Sequence, residues 1–408
     1  MAKKATEANM FSFDDIVSTM QAIIKPTSIQ HVTEKTSRER GFISTGIYVL
    51  NAAFSGDIYG GIANNRISVL GGASGVGKSF LCYNICREAQ AAGYCIIYVD
   101  TEFSIELDQL PGYGIDIAPN KFMLLSNNVI EDLKISMTQL LDKLKEQKNA
   151  GKTLPKMLFV LDSVGQLGSR KEVEDALSGK EKADFTKAKA LGSFFRIINA
   201  DLGTLNIASV FTNHTYKTMD MFPQDKMKGG EALFYSASSI GFLSKAKLKE
   251  GDEDELDLGQ SGIVVTCKMV KNRLAKPKKV KFEISFVSGC NPYVGLDFWL
   301  DEDTFDQVGI AKGKWDEKAG KFIPGGNRWY VHHLGTHVAT ANLFTPKVFT
   351  KEVLDSLRPI IKEYFKYKSI TELNEINSRL EAAKGEITDK ELYSEDISSE
   401  KLFGDDED

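Results

Sequence analysis

The chain has 408 residues, of which 42% are hydrophobic and 26% charged, with a formal net charge of −5. This composition is typical of a folded protein with a large core, either one big α/β domain with smaller attachments or two domains. No apolar run is long enough to cross a bilayer and the N-terminus lacks a secretory signal, so we expect a cytoplasmic protein without a membrane partner. Its five cysteines include no C-x-x-C pair and predict neither a disulfide framework nor a zinc site.

Residues 1–40 are predicted to form a short helix and a linker that serve in oligomerisation. Ser12 is a suitable helix N-cap, and apolar side chains recur at helical spacing up to Ile24, until Pro26 ends the pattern. A lone helix of this length is marginal in water. Its apolar stripe therefore needs a neighbour, either the core of its own chain or another subunit.

Residues 41–300 are predicted to form an α/β core. Short apolar runs alternate with segments of helical length, which indicates a mainly parallel sheet flanked by helices. Three later runs follow one another without helices and predict an antiparallel extension. The predicted strands are 67–70, 95–99, 122–125, 157–161 and 207–212, then 239–243, 263–270 and 280–286.

A phosphate-binding loop, the Walker A motif G-x-x-x-x-G-K-[ST], follows the first of these strands. Its glycines allow backbone N–H groups to surround phosphate oxygens, and the next helix directs its positive dipole end at the same anion. A Gly-rich turn without a ligand is the alternative. The motif predicts ATP and Mg²⁺ as cofactors, with Ser79 as a metal ligand. The predicted nucleotide contacts are Gly72, Ala73, Ser74, Gly75, Val76, Gly77, Lys78 and Ser79.

Two carboxylates follow other predicted strands. Asp162 ends an apolar run and is expected to hold magnesium through its water shell, on a strand next to the one that leads into the phosphate loop. Glu102 follows the strand 95–99, where it could activate a water in line with the γ-phosphate. Asp100 is the rival for that role, and a helix-capping or surface acid is the structural alternative.

The order of these parts over roughly residues 40–340 resembles the RecA family of recombinases. The matching segments are 43–46 (Ile-Ser-Thr-Gly), 50–56, the phosphate loop, 211–214 (Phe-Thr-Asn-His), 221–222, 229–233 (Gly-Gly-Glu-Ala-Leu) and 271–273 (Lys-Asn-Arg). Segments 160–165 and 172–177, with the tract 213–222, resemble the phage branch of that family, the UvsX recombinases.

The resemblance implies a γ-phosphate sensor at His214. Its backbone would tether a DNA-binding loop, 215–228, which would be released when the phosphate is lost. Bacterial members carry glutamine at this position. Because an unperturbed imidazole titrates near pH 6 to 7, we expect DNA affinity in the ATP state to depend on pH there. A purely structural histidine is the alternative.

Two segments are predicted to contact DNA. The loop after His214 combines cations for phosphates, aromatic rings for stacking and a Gly-Gly nest. The stretch 170–196 is a second basic region, although part of it must be an ordinary helix face. The residues predicted to bind DNA are Tyr216, Lys217, Phe222, Lys226, Lys228, Gly229 and Gly230 in the first segment, and Arg170, Lys189 and Arg196 in the second.

Lys271 and Arg273 resemble the basic pair that reaches across to a neighbouring subunit's ATP in this family. On a strand, residues two apart face the same way, so both could reach one γ-phosphate and make hydrolysis depend on assembly. The alternative is a solvated basic run that continues to Lys281. The family's adenine-stacking ring would fall at 107–110, where this sequence has none, and Tyr113 follows late.

The chain is predicted to end with a small α+β domain, 301–384, and an acidic disordered tail, 385–408, that competes with DNA for the basic loops. A helix is predicted over 350–367, with Pro359 as a break or restart.

The whole pattern predicts a DNA-dependent ATPase that forms helical filaments on single-stranded DNA and catalyses homologous pairing and strand exchange in recombination, repair and recombination-dependent replication. Its expected partners are single- and double-stranded DNA, further copies of itself, a single-strand-binding protein and a recombination mediator. Its expected location is the cytoplasm, or the host cytoplasm or nucleoid if it is phage-encoded. The alternatives are a hexameric helicase or translocase and a regulatory ATPase without DNA contacts.

Overall fold

The computed structural model describes residues 41–178, 186–219, 223–229, 231–248, 261–374 and 378. The predicted N-terminal helix and the acidic tail lie outside these residues, as do Phe222 and Gly230. None of the helices in the described ranges combines the length and apolar character that a bilayer crossing requires.

Fifteen strands and eight helices define the described fold. The strands are β1 (Phe42–Ile43), β2 (Ile62–Ala63), β3 (Ile67–Gly72), β4 (Cys95–Asp100), β5 (Phe122–Ser126), β6 (Met157–Asp162), β7 (Ala208–Lys217), β8 (Asp225–Met227), β9 (Ser239–Leu248), β10 (Gly262–Asn272), β11 (Lys279–Ser285), β12 (Gly289–Cys290), β13 (Ile310–Asp316), β14 (Lys321–Val331) and β15 (Thr336–Val338). The helices are α1 (Tyr48–Ser55), α2 (Lys78–Ala91), α3 (Ile130–Asn149), α4 (Arg170–Leu177), α5 (Thr186–Leu205), α6 (Ala232–Ser236), α7 (Phe305–Val308) and α8 (Lys351–Phe365).

A large mixed sheet has the strand order β12-β11-β10-β9-β3-β7-β6-β4-β5, and β8 pairs with the outer part of β7. Within this order, the six neighbouring strands β9-β3-β7-β6-β4-β5 run parallel to one another. The strands β9, β10, β11 and β12 pair antiparallel. The predicted RecA-like α/β class, with a mainly parallel sheet and an antiparallel extension, is therefore confirmed.

Alternate residues of the parallel strands enter two apolar clusters, one on each face of the sheet. Leu70 belongs to the cluster that contains α2, and its neighbour Val69 belongs to the cluster that contains α3 and α5. Cys82 and Cys86, four residues apart on one face of α2, are fully buried and pack as small apolar side chains. The parallel strands thus end at one edge, between two layers of helices.

The described part of the predicted C-terminal domain contains the antiparallel sheet β13-β14-β15 and helix α8. Pro359 lies inside α8 and neither ends nor restarts it, because the buried stripe that includes Leu357 and Ile361 holds the helix together. That stripe belongs to the same apolar cluster as α1 and α2. The boundary between a core, 41–300, and a separate domain, 301–384, stays a prediction.

Asp57, after α1, joins α8 through charged hydrogen bonds. Arg358 donates to both carboxylate oxygens at 2.9 and 2.7 Å, and the Lys362 ammonium lies 2.9 Å away. Burial opposes ionisation of Asp57, but these cations and the Tyr59 backbone N–H lower its pKa to about 2. The ion cluster therefore fastens α8 to the segment that directly follows α1.

Candidate nucleotide site and nucleic-acid interface

The phosphate loop joins the end of β3 to the start of α2, as its motif predicted. Gly75 and Gly77 have φ angles of 72° and 89°, a region that residues with a Cβ rarely adopt. A Cβ on Gly77 would also lie only 2.7 Å from Ile284 Cδ1, and one on Gly72 only 2.8 Å from the Leu243 carbonyl oxygen. Backbone conformation therefore requires glycine at positions 75 and 77, and close packing against backbone requires it at position 72.

Lys78 folds back into the loop. Its ammonium donates to the carbonyl oxygens of Gly72 at 3.0 Å and Ala73 at 2.8 Å, and the residue is only 7% exposed. Burial lowers the pKa of Lys78, while the nearby Asp162 and Glu102 carboxylates act in the opposite direction. A cation folded against a glycine-rich loop that precedes a helix fits a bound polyphosphate.

Asp162 ends β6, but the prediction that its strand neighbours β3 is wrong, because β7 lies between them. The intervening strand contributes Thr212, whose hydroxyl donates to the Asp162 carboxylate. The buried Tyr98 hydroxyl donates to its other oxygen at 2.9 Å. A carboxylate held by two hydroxyls keeps lone pairs free, so it fits the predicted magnesium role together with Ser79.

Glu102 lies just beyond β4. Its Oε1 accepts a hydrogen bond from the Ser163 hydroxyl at 2.7 Å and lies 3.0 Å from His214 Nε2. Burial opposes its ionisation, but Ser163, His214 and Lys78 together hold the pKa of Glu102 below its usual value. The side chain is therefore a carboxylate at neutral pH, as a base requires.

Asp100, the rival to Glu102, organises the turn instead. Its carboxylate accepts backbone N–H bonds from Glu102 at 3.0 Å, Ser104 at 2.8 Å and Ile105 at 2.9 Å. Phe103, inside this turn, has a φ of 54°. The bonds fix the loop that carries Glu102, and they favour Glu102 over Asp100 as the group that meets water.

His214 lies beside the start of the phosphate loop, because β7 and β3 pair in a register that sets it opposite Gly72. Its carbonyl oxygen accepts from the Lys228 N–H at 2.9 Å, and Asn213 Nδ2 donates to the Lys228 carbonyl at 2.9 Å. The loop expected at 215–228 is partly a hairpin, since β7 continues to Lys217 and pairs with β8. One strand thus connects the nucleotide edge to the hairpin.

Most described residues predicted to bind DNA are exposed around this hairpin. Its base contacts α5, since a Cβ on Gly229 would lie 3.2 Å from Leu191 Cδ1. Arg170 differs from the rest, because its guanidinium forms an ion pair with Asp132. The exposed residues are Tyr216, Lys217, Lys226 and Lys228 on the hairpin, and Lys189 and Arg196 on α5.

Lys271 and Arg273 lie at the opposite edge of the sheet, where the parallel strands begin. Ser239 pairs with Asn272 on one side and with Ser68, near the start of β3, on the other. The phosphate loop follows the end of β3, roughly 13 Å further along the strand. The pair therefore lies far from the phosphate loop of its own chain.

The expectation that Lys271 and Arg273 alternate on one strand is wrong. A bulge separates Met269 from Lys271, and β10 ends before Arg273. The Lys271 ammonium donates to the carbonyls of Phe234 at 2.5 Å and Tyr235 at 3.2 Å. Burial first, and the nearby charge of Arg273 second, lower the pKa of Lys271. The two cations are neighbours despite the irregular backbone.

A ring does reach the nucleotide side of the fold. A cavity of about 580 Å³ beside the phosphate loop is lined by Gly75, Gly77 and Tyr113, among others. The 3₁₀ turn Leu110–Tyr113 brings the Tyr113 ring to 5.1 Å from that of Tyr83 on α2. The sequence position of Tyr113 is late, but its place in the fold is beside the phosphate loop.

Comparison with known proteins supports the resemblance to the RecA family that the sequence motifs indicated. A family model described as the RecA N-terminal domain matches residues 13–291. The chain belongs to the RecA family. The Recombination and repair protein of Enterobacteria phage T4 is 30% identical over 321 residues, which cover 75% of this chain and 77% of that protein. Protein RecA of Sulfurimonas denitrificans is 26% identical over 285 residues, 68% of this chain and 76% of that protein.

Some side chains of this RecA-family site escaped prediction from the sequence. Tyr98, Thr212 and Ser163 contact the acidic groups. Thr212 and Ser163 lie within segments that resemble the family, but the sequence assigned no role to any of the three. A weak signal existed for two of them, since Tyr98 and Thr212 are polar residues inside otherwise apolar runs. A buried hydroxyl needs a partner, and the strand-end carboxylates are the acceptors at this edge.

Proposed function

We propose that the chain is an ATP-dependent DNA recombinase that polymerises on single-stranded DNA and exchanges strands with a homologous duplex. The observation that carries this proposal is the position of His214. It contacts Glu102 beside the phosphate loop, and its backbone forms the root of the exposed hairpin. A nucleotide-dependent change at this residue therefore acts on both hydrolysis and DNA contact.

ATP is bound by the loop 72–79, and Glu102 removes a proton from the attacking water. The depressed pKa of Glu102 keeps it ionised, and Asp100 fixes the turn that aims it. Magnesium, held by Ser79 and by Asp162 through water, would neutralise charge on the phosphates. Thr212 and Tyr98 keep the Asp162 carboxylate in place.

In the ATP state, His214 exchanges its contact with Glu102 for the γ-phosphate. The hairpin then takes the shape that grips single-stranded DNA, and hydrolysis releases it. Exposed Tyr216 offers a ring for base stacking, and Lys226 and Lys228 offer cations for phosphates. Lys189 and Arg196 on α5 extend the same basic surface, with Phe222 and Gly230 proposed as further contacts.

Lys271 and Arg273 act on the ATP of a neighbouring subunit. They lie at the sheet edge opposite their own phosphate loop, and no described carboxylate forms an ion pair with either. An interface that joins these opposite edges is head-to-tail and builds an open helical filament. The proposed partners include a single-strand-binding protein and a mediator, and the proposed place of action is the cytoplasm.

The test is steady-state ATP hydrolysis with and without single-stranded oligonucleotide, combined with electron microscopy in a non-hydrolysable ATP analogue. We expect hydrolysis to rise strongly with DNA, and open helical filaments to form. Closed rings would favour a hexameric helicase or translocase. A rate of ATP hydrolysis that does not change with DNA would favour a regulatory ATPase and contradict the proposal.

A further inference from the structure

We propose that Lys245, which lies outside the Walker A motif, is a second cationic contact for the nucleotide, at its α- and β-phosphates. The motif itself supplies one cation, Lys78. The inference rests on the proposed ATP-binding function and adds a side chain from a different strand. It concerns how the nucleotide is held and not how it is hydrolysed.

The sheet register brings Lys245 to the phosphate-loop edge. Leu243 on β9 pairs with Gly72, the last residue of β3, and Lys245 follows two residues later. Residues two apart on a strand share a face, so Lys245 lies on the Leu243 side of the sheet. Its partner on β10, Val265, is fully buried in the apolar cluster that contains α2. Lys245 therefore lies on the face that carries the phosphate loop.

The ammonium of Lys245 reaches the loop itself. A Cβ built on Gly75 would lie 3.1 Å from Lys245 Nζ, with no other atom of a non-neighbouring residue within 4 Å. The lysine is exposed, and none of the ion pairs among the described residues includes it. A cation beside an anion-binding loop is positioned to attract phosphate oxygens.

The strand order indicates which phosphates Lys245 contacts. Asp162 ends β6, Glu102 follows β4 and His214 lies within β7, and all three strands are on one side of β3. Lys245 is on β9, on the other side of β3, where β10 and β11 also line the cavity that contains Tyr113. With the γ-phosphate toward Glu102 and the base toward Tyr113, the α- and β-phosphates lie nearest to Lys245.

This placement predicts equal effects on ADP and ATP. In Lys245→Met, affinity for both ADP and a non-hydrolysable ATP analogue should fall about tenfold, because both ligands carry α- and β-phosphates. Lys245→Arg should restore most of the loss. High salt should narrow the difference between wild type and Lys245→Met, because the lysine is exposed.

The experiment titrates fluorescent ADP and a fluorescent ATP analogue into the full chain with Mg²⁺ and without DNA. Lys247→Met is the matched control, since Lys247 is an exposed lysine two residues further along the same strand face. It should change either affinity by less than about twofold. Thermal unfolding without nucleotide should give the same midpoint for both variants and wild type.

Three results of these titrations would overturn the inference. They are unchanged nucleotide affinity in Lys245→Met, an equal loss in Lys247→Met, and a loss confined to the ATP analogue. A separate oligonucleotide titration gives a fourth, since a loss of oligonucleotide affinity in Lys245→Met with nucleotide affinity intact would assign Lys245 to DNA. These outcomes leave the proposed function standing, whereas a wild-type chain that binds neither nucleotide would remove the proposed function first.

Discussion

The two edges of the central sheet differ in how their charged side chains are compensated. At the edge with the phosphate loop, Asp100, Asp162 and Glu102 each accept hydrogen bonds from their own chain. At the opposite edge, Lys271 and Arg273 lie close together, and the pKa of Lys271 is lowered by burial and by the charge of Arg273. The carboxylates of one edge are hydrogen-bonded within the chain, whereas the cations of the other contact carbonyl oxygens at most and form no ion pair with a described carboxylate.

The strongest test of this difference mixes two inactive variants. Glu102→Gln should lower DNA-stimulated hydrolysis about 10²- to 10³-fold through loss of the base. Lys271→Ala combined with Arg273→Ala should lower it about 10³-fold through loss of the cations at the γ-phosphate. In an equimolar mixture, about a quarter of head-to-tail interfaces join an intact Glu102 to an intact cation pair. Hydrolysis should therefore recover toward a quarter of the wild-type rate.

Recovery distinguishes contacts between subunits from contacts within one. Absence of recovery, with filaments still formed, would mean that the cations serve their own chain, and the contrast between the edges would fail. Lys276→Ala with Lys279→Ala is the matched control from the same basic run, because both lysines are exposed. It should retain nearly wild-type hydrolysis.

A smaller effect, on nucleotide affinity, is expected when Tyr113 is changed. Such an effect would locate the base on the β10–β11 side of the phosphate loop. Removing an aromatic ring from a stacked base costs about 1–3 kcal/mol. Tyr113→Ala should therefore raise the Kd for ATP about tenfold, and Tyr113→Phe should leave it nearly unchanged. Equilibrium titration with a fluorescent nucleotide measures both, and equal affinities for Ala and Phe would exclude Tyr113 from the base site.

His214 offers a test of the link between the nucleotide edge and the hairpin. His214→Ala removes the ring that contacts Glu102 beside the phosphate loop. In wild type, a non-hydrolysable ATP analogue should raise oligonucleotide affinity severalfold over ADP, because the γ-phosphate orders the hairpin. In His214→Ala the two nucleotides should give nearly the same affinity. A variant that keeps the wild-type gain would show that another group couples the nucleotide to the hairpin.

The smallest effect concerns stability away from both edges. The pKa of Asp57 is lowered to about 2, so its stabilising contribution is complete above about pH 4 and is lost as pH falls toward 2. Asp57→Asn should lower the free energy of unfolding by about 1 kcal/mol at neutral pH, allowing for the exposure of Arg358 and Lys362. Chemical denaturation should show that the difference in free energy of unfolding between wild type and Asp57→Asn becomes smaller below pH 4. Glu363→Gln, on the exposed side of α8, is the control and should show no comparable deficit.

The sequence was sufficient for the buried strands of the large sheet, β3 to β7 and β9 to β11, because apolar runs mark such strands wherever they pair. It did not indicate the short strands β8 and β12, which lack such runs. It was insufficient for the order of the strands, since chain order does not reveal that β7 crosses between β3 and β6. That crossing explains why Thr212 holds Asp162. Local backbone irregularity set a second limit. The bulge before Lys271 breaks the alternation of side chains that the prediction for Lys271 and Arg273 assumed. Position along the chain was a third limit, since the late Tyr113 lies in a 3₁₀ turn and lines the cavity beside the phosphate loop.

The continuous strand β7 links the phosphate-loop edge of the sheet mechanically to the hairpin. Its ten residues begin in the buried sheet and end in the hairpin, so a small rotation beside Gly72 is magnified at the tip. Met219, two residues beyond β7, is fully solvent-exposed, so Met219→Cys would provide an attachment point for an environment-sensitive dye. After replacement of the partly accessible Cys95 and Cys290, a single label there would turn the chain into an optical reporter of its own nucleotide cycle.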